Sequence, residues 1–126
     1  MTFDEFCQIV NEEMDLLPPY VYEELNGGVL IEPGAHLHPA RLEDDLYILG
    51  TYSGGGLFGK QICLYYGSFA ATMNMEDTEA VRLQIRGTLR HEFLHHLETR
   101  AGLFGKGTLI EEDRERMRQY YMRHGK

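Results

Sequence analysis

The sequence has little of what marks exported, membrane-spanning or nucleic-acid-binding proteins. No apolar run approaches the roughly 20 residues that cross a bilayer, and the acidic start of the chain, residues 1–5, is unlike a signal peptide. Lys and Arg number 12 against 20 Asp and Glu, and this net charge of −8 disfavours contact with phosphate backbones and anionic lipids. We therefore expect a cytoplasmic protein with neither nucleic-acid nor membrane partners.

Cysteine is also scarce. Cys7 and Cys63 are the only two, and they form no C-x-x-C motif, so we interpret them as small apolar residues and not as a disulfide or a metal pair. Hydrophobic residues make up 43% of the chain and charged residues 25%, an ordinary globular composition. The length of 126 residues predicts a single domain, 1–126.

Hydrophobic periodicity predicts an α+β fold. The predicted helices are at 3–16, 20–25, 77–98 and 109–124. The predicted strands are at 29–31, 46–52 and 61–66, the last two joined as a hairpin by a glycine-rich segment. We expect a small antiparallel-rich sheet packed on the helix at 77–98, with the N- and C-terminal helices around it. The apolar stripe of that central helix is predicted to contain Val81, Ile85, Leu89, Phe93 and Leu97, widened by Leu83 and Leu94.

One motif on the central helix is typical of a metal site. His91-Glu92-Phe93-Leu94-His95 matches H-E-x-x-H, in which residues four apart share one helical face and can bind one zinc ion. Glu92 points about 100° away from His91, so it can flank the metal and act as general base on a zinc-bound water. The motif predicts a zinc-dependent metallopeptidase that hydrolyses peptide bonds. The alternatives are a zinc-binding regulatory or interaction module without hydrolytic activity, and a metal-free interaction domain.

Three segments of the chain are informative when they are taken together with the motif. They are Tyr-Ile-Leu-Gly-Thr-Tyr at 47–52, Ile-Cys-Leu-Tyr-Tyr-Gly at 62–67, and Thr-Leu-Arg-His-Glu at 88–92 followed by His95-His96. Together they resemble the small bacterial zincin-like metallopeptidases. That resemblance implies a single zincin-like domain with an amphipathic N-terminal helix, a small sheet and a zinc ion on the H-E-x-x-H helix. Many members continue as H-E-x-x-H-H-x-G-x-x-D, where the aspartate is the third ligand, but this chain has Glu98 at the glycine position and Ala101 at the aspartate position.

The third zinc ligand therefore has to be sought elsewhere. Glu98 is our first candidate, because it lies seven residues after His91 and its side chain can lean back toward His95. The competing candidates are the three acids that begin the last helix, Glu111, Glu112 and Asp113. We interpret His96 as a residue that packs in the core or supports a ligand, and not as a ligand itself, since it faces a different side of the helix.

Weaker signals are present as well. His36 and His38 are interpreted as an incidental pair in a loop. On the last helix, Tyr120 and Tyr121 together with Arg114, Arg116 and Arg118 could supply a hydrogen-bond donor to a developing oxyanion. Such residues more often cover a helix, so we name no second catalytic group. A short or unstructured peptide, lying along an edge strand, is the expected substrate. The acidic net charge slightly favours neutral or basic peptides.

Overall fold

The computed structural model describes residues 1–54, 59–102 and 109–125, without the side chains of 109–111. A 3₁₀ turn at Pro19–Tyr22 accompanies the regular elements. In chain order these are α1 (Phe3–Asp15), β1 (Gly28–Glu32), β2 (Gly50–Ser53), β3 (Gln61–Tyr65), α2 (Tyr66–Thr72), α3 (Thr78–Ala101) and α4 (Leu109–Arg123). The α+β class predicted from the sequence is therefore observed.

Helix α1 begins where the sequence predicts. The Thr2 hydroxyl accepts a hydrogen bond from the Glu5 backbone N–H at 3.1 Å, and the Glu5 carboxylate accepts one from the Thr2 N–H at 2.8 Å. This capping box satisfies two N–H groups that the first helical turn leaves unpaired. Phe6 and Val10 are completely buried in the core beneath the helix. Pro18 follows closely after the last helical turn and prevents its continuation.

The three strands form one mixed sheet in the order β1-β3-β2. Strands β2 and β3 are antiparallel, with Gly50 opposite Leu64, which confirms the predicted hairpin. Strands β1 and β3 are parallel, with Val29 opposite Ile62. The expectation of an antiparallel-rich sheet is wrong because β3 inserts between β1 and β2, an arrangement that local sequence patterns do not reveal.

Strand β2 is shorter than predicted. The predicted strand starts at residue 46, whereas β2 starts at Gly50. The preceding residues pair with another segment: the His38 N–H donates to the Leu46 carbonyl at 2.8 Å and the Ile48 N–H donates to the His36 carbonyl at 2.7 Å. Residues 36–38 thus lie beside residues 46–48, outside the sheet.

Helix α2 was not anticipated. It follows β3 directly and has seven residues, too few for a helical period to stand out in the sequence. It buries Ser68 and Phe69 completely. At Gly67 the helix touches the backbone of residues 34–35 so closely that a Cβ atom would lie 2.4 Å from the Ala35 nitrogen.

Helix α3 is the central element of the core. Asp77 accepts a hydrogen bond from the Ala80 N–H at 3.1 Å and begins the helix, and Gly102 ends it with a φ of 72° in the left-handed region. Four predicted stripe residues are buried, namely Val81, Ile85, Leu89 and Phe93. Leu83 and Leu94 were expected to widen this stripe, but they are 59% and 47% exposed. They are eleven residues apart, so they share one face of the helix, and that face points to solvent.

None of the described helices has both the length and the apolar character needed to cross a membrane.

Candidate metal centre

The two histidines of the motif project from the C-terminal half of α3 toward one point. Their ring centroids lie 4.8 Å apart, with the ring planes at 79°. The His91 Nε2 lies 3.3 Å from Asp113 Oδ1, and the His95 Nε2 lies 2.9 Å from Asp113 Oδ2. Both imidazoles therefore direct the same ring nitrogen at a single carboxylate.

Helix α4 supplies that carboxylate. His91, His95 and Asp113 form a group whose potential ligand atoms all lie within 4.8 Å of one another. Glu98, our first candidate from the sequence, is not in this group, because it lies about 10 Å along the helix axis from His91. Among the competing candidates, Glu112 is exposed and outside the group, and the side chain of Glu111 is outside the described part of the chain. The structure thus brings Asp113, and not Glu98, to the two histidines.

The three side chains fit a zinc ion in both chemistry and spacing. Imidazole nitrogen and carboxylate oxygen are common zinc ligands, with bonds of about 2.0–2.2 Å. Tetrahedral geometry with such bonds separates neighbouring ligand atoms by roughly 3.3 Å. The observed contacts of 3.3 and 2.9 Å between the imidazoles and Asp113 are close to that separation. Three protein ligands leave a fourth position for water or substrate.

Glu92 lies beside this group and is almost completely buried, with 6% of its surface exposed. Burial raises the pKa of Glu92 to about 7, and the negative charge of Asp113 contributes to the same shift. A carboxyl group with a pKa near neutrality can both accept and release a proton under physiological conditions. Burial at this position is thus suited to general acid–base chemistry.

The group opens into a cleft of about 900 Å³. One wall is formed by residues 46–52, which include β2 and the chain leading into it, and the floor by α3 from Gln84 to His95. The opposite wall is the face of α4 that runs from Asp113 to Arg123. Glu92, His91 and His95 all line this cleft, so a peptide lying in it would contact the candidate metal ligands and the candidate base.

His96, next to the motif, faces the other way. It is completely buried, and its Nε2 donates a hydrogen bond to the Glu23 carbonyl at 2.7 Å, so its Nδ1 accepts one from the Tyr52 hydroxyl at 2.8 Å. These two contacts join α3 to β2 and to the chain after the 3₁₀ turn. His96 is a packing residue, and it is not part of the metal group.

The tyrosines of α4 have a structural role that the sequence did not indicate. Tyr120 is 4% exposed, and its hydroxyl donates to Asp45 at 2.8 Å and accepts from the Leu42 N–H at 2.9 Å. The Tyr121 hydroxyl donates to the Ala40 carbonyl at 2.7 Å. Both hydroxyl groups are engaged in fastening α4 to residues 40–45, which argues against the oxyanion role considered from the sequence.

His124 completes this attachment. Its Nδ1 donates to the Tyr120 carbonyl at 2.9 Å and its Nε2 donates to Asp45 Oδ2 at 2.7 Å. Donation from both ring nitrogens requires the imidazolium form, and the bond to the Tyr120 carbonyl, followed by that to Asp45, raises the pKa of His124. Asp45 is 79 residues away from His124, so no local sequence signal links the two.

Comparisons with known proteins give a structural relative. No protein-family model and no curated protein matches this chain. A solved structure that matches is a conserved hypothetical protein of T. thermophilus, with 29% sequence identity and a TM-score of 0.70. The match covers 80% of this chain and 98% of the other. The likeness supports the α+β fold described above and assigns no activity.

Proposed function

We propose that this protein is a zinc-dependent metallopeptidase of the minimal zincin-like type, located in the cytoplasm. The observation that carries the proposal is the convergence of the His91 and His95 Nε2 atoms on the Asp113 carboxylate, 3.3 and 2.9 Å away, beside the buried Glu92. In this assignment Asp113 replaces Glu98 as the third ligand. The resemblance of residues 47–52, 62–67, 88–92 and 95–96 to zincin-like proteins supports the same proposal, because 47–52, Thr88, His91, Glu92 and His95 all line the cleft.

Each residue of the centre has a defined task. His91, His95 and Asp113 would hold the zinc ion, which when bound supplies Lewis acidity to a water molecule and to the substrate carbonyl. Glu92 would take up the proton of the attacking water and pass it to the leaving amine. Glu92 lies next to His91 in the chain and lines the same cleft, which places it beside the proposed water.

The position of β2 supports a peptide substrate. β2 is an edge strand of the sheet and pairs only with β3 among the described strands, so its other edge can bind an extended chain by β-augmentation. Residues 50–52 of β2 line the cleft. A chain bound there would run past the candidate base. We therefore propose a short or unstructured peptide as substrate.

Two variants of the motif test this function. Glu92→Gln is expected to retain zinc and lose peptide cleavage, because it removes only the proton acceptor, whereas His95→Ala is expected to lose both. Zinc is measured by elemental mass spectrometry and cleavage by mass spectrometry on a random peptide library. Leu94→Ala, an exposed change on the same helix turn, is the matched control and should change neither.

The outcomes separate the proposed function from its alternatives. Zinc bound by the parent without cleavage of any library member would favour a zinc-binding module. Zinc bound equally by the parent and by His95→Ala would contradict the site itself.

A further inference from the structure

The cleft has a cationic wall although the whole chain carries a net charge of −8. Arg116 and Arg123 both line it from α4. Among the described residues, the only acidic ones that line the cleft are Glu92 and Asp113, and both belong to the candidate metal centre. The positive charge that remains available to a ligand therefore comes from the two arginines.

These guanidinium groups are weakly engaged within the protein. The Arg123 side chain is exposed and makes no hydrogen bond or ion pair with any described residue. The Arg116 side chain is 67% exposed, and its one ion pair within the described part of the chain is a long contact of 3.8 Å to Asp113. In contrast, Arg118 on the same helix is paired with Glu115. Arg116 and Arg123 can thus bind an anion without first losing a strong internal partner.

Arg116 lies next to the candidate metal centre, and Arg123 lies further along the same helix. Arg116 contacts Asp113 Oδ1, the same oxygen that lies 3.3 Å from His91 Nε2. Arg123 is seven residues further along α4, about 10 Å at 1.5 Å per residue. An extended peptide advances about 3.3 Å per residue, so the two arginines are about three peptide residues apart.

We propose that this cleft selects peptides that carry a carboxylate within about three residues of the cleaved bond, with Arg116 and Arg123 as the binding groups. Guanidinium binds carboxylate through paired, charge-assisted hydrogen bonds. The carboxylate can be the C-terminus of the peptide or an Asp or Glu side chain. The proposal rests on the proposed function. It replaces the expectation, drawn from the net charge, that neutral or basic peptides are preferred. A bound peptide interacts with the local charge of the cleft and not with the charge summed over the whole surface.

Binding of matched peptides tests the selectivity. The probes are dansyl-Ala-Phe-Leu-Ala as free acid and as amide, and dansyl-Ala-Phe-Leu-Glu-amide with its Gln counterpart. Their affinities are measured by fluorescence anisotropy on the zinc-loaded Glu92→Gln protein, which excludes cleavage during the measurement. We expect either the free acid to bind about tenfold more tightly than the amide, or the Glu peptide to bind about tenfold more tightly than the Gln peptide. A charge-assisted hydrogen bond contributes a free energy of this size. The pair that shows the difference identifies the source of the carboxylate.

Arginine variants make the test specific. Arg116→Gln or Arg123→Gln is expected to reduce the preference for the carboxylate peptide to about twofold or less. Arg114→Gln is the control and should leave the preference intact. It makes an equal change of charge at an exposed residue of the same helix that does not line the cleft. Circular dichroism verifies that each variant is folded. Equal affinities within both peptide pairs, a preference that survives both cleft variants, or no binding at millimolar concentration would each overturn the proposal.

The outcome is distinguishable from failure of the proposed function. Library cleavage by the parent without any carboxylate preference would leave the metallopeptidase and overturn the selectivity. Arginine-dependent carboxylate binding without cleavage by the parent would support the selectivity and contradict the peptidase.

Discussion

At the scale of single residues, Gly50 of β2 lies directly against Thr88 of α3. A Cβ atom at this position would lie 2.7 Å from Thr88 Cγ2 and 3.0 Å from Leu64 Cδ2. Thr88 has little freedom to move away, since it is 7% exposed and its hydroxyl donates to the Gln84 carbonyl at 2.8 Å. The absence of a side chain at Gly50 therefore sets how closely the cleft wall approaches the motif helix.

Gly50→Ala is expected to destabilise the protein by about 2 kcal/mol, the usual cost of overpacking a core. Urea unfolding measures the change. Gly54→Ala is the control, because its Cβ atom would meet nothing closer than Tyr52 Cε2 at 3.7 Å. Equal stability of the two variants would show that β2 can move away from α3 at no cost.

At the scale of elements, one carboxylate fastens α1 to α3. Glu13 is 4% exposed, and it accepts hydrogen bonds from Arg86 Nε at 2.6 Å and Arg82 Nη1 at 3.0 Å. The bond from Arg86 outweighs the opposing effect of burial and lowers the pKa of Glu13 below its ordinary value. A lowered pKa in the folded state means that the ionised carboxylate stabilises the fold.

Glu13→Gln is therefore expected to reduce the free energy of unfolding near neutral pH by about 2 kcal/mol. The contribution of Glu13 is present above its ordinary pKa of 4.5 and is lost as the pH falls through the lowered folded value. Urea unfolding at neutral and at acidic pH should thus show a difference from the parent that shrinks in acid. Glu12→Gln is the control, because the Glu12 side chain is 49% exposed and its contact with Arg82, at 3.5 Å, is longer than the contacts that Glu13 makes. A difference that does not change with pH would contradict the ionic origin.

Among the described residues, helix α4 is fastened both to α3 and to the segment at 40–45. Asp113 contacts the histidines of α3, and further along the helix Tyr120 and His124 are hydrogen-bonded to Asp45. The second attachment holds the orientation of the helix that carries the proposed third ligand. The hydrogen bonds to His124 and Tyr120 lower the pKa of Asp45, so it stays ionised and continues to accept them.

We expect Asp45→Ala to weaken zinc binding about tenfold without removing any ligand, a typical effect of losing a residue that orients one. Titration with zinc against a competing chelator measures the affinity. Asp44→Ala is the control, because that side chain is 77% exposed and pairs with Arg41 instead. Unchanged affinity in Asp45→Ala would show that Asp113 is held in place by other contacts.

At the scale of the whole molecule, the proposed zinc ion joins two helices. His91 and His95 belong to α3 and Asp113 to α4, so an ion bound by all three would link the core helix to the C-terminal helix. A ligand that binds only the folded state stabilises it by about 2.7 kcal/mol when its free concentration is about 100 times the dissociation constant.

Zinc should accordingly raise the melting temperature of the parent in differential scanning calorimetry. Asp113→Ala is expected to abolish most of this rise, whereas Glu98→Ala should retain it, because Glu98 is outside the ligand group. A rise that is lost with Glu98→Ala and kept with Asp113→Ala would reverse the assignment of the third ligand.

Local patterns predicted most of the elements and part of the site. The capping box at Thr2 and the apolar period of α3 act between residues close in the chain, so they are readable from sequence, as is the H-E-x-x-H spacing. Helix α2 was missed because seven residues contain too little periodicity. Leu83 and Leu94 were placed in the core because hydrophobicity alone does not distinguish a buried face from an exposed one.

The sequence by itself determined which side chains share one helix face, because that depends only on the 3.6-residue period of the helix. His91 and His95 are paired for this reason, and Glu92 is adjacent. The tertiary structure alone decided that β3 separates β1 from β2, that Asp113 meets the histidines, and that Asp45 fastens α4. These contacts join segments far apart in the chain, and their formation depends on how the helices and the sheet pack around a common core.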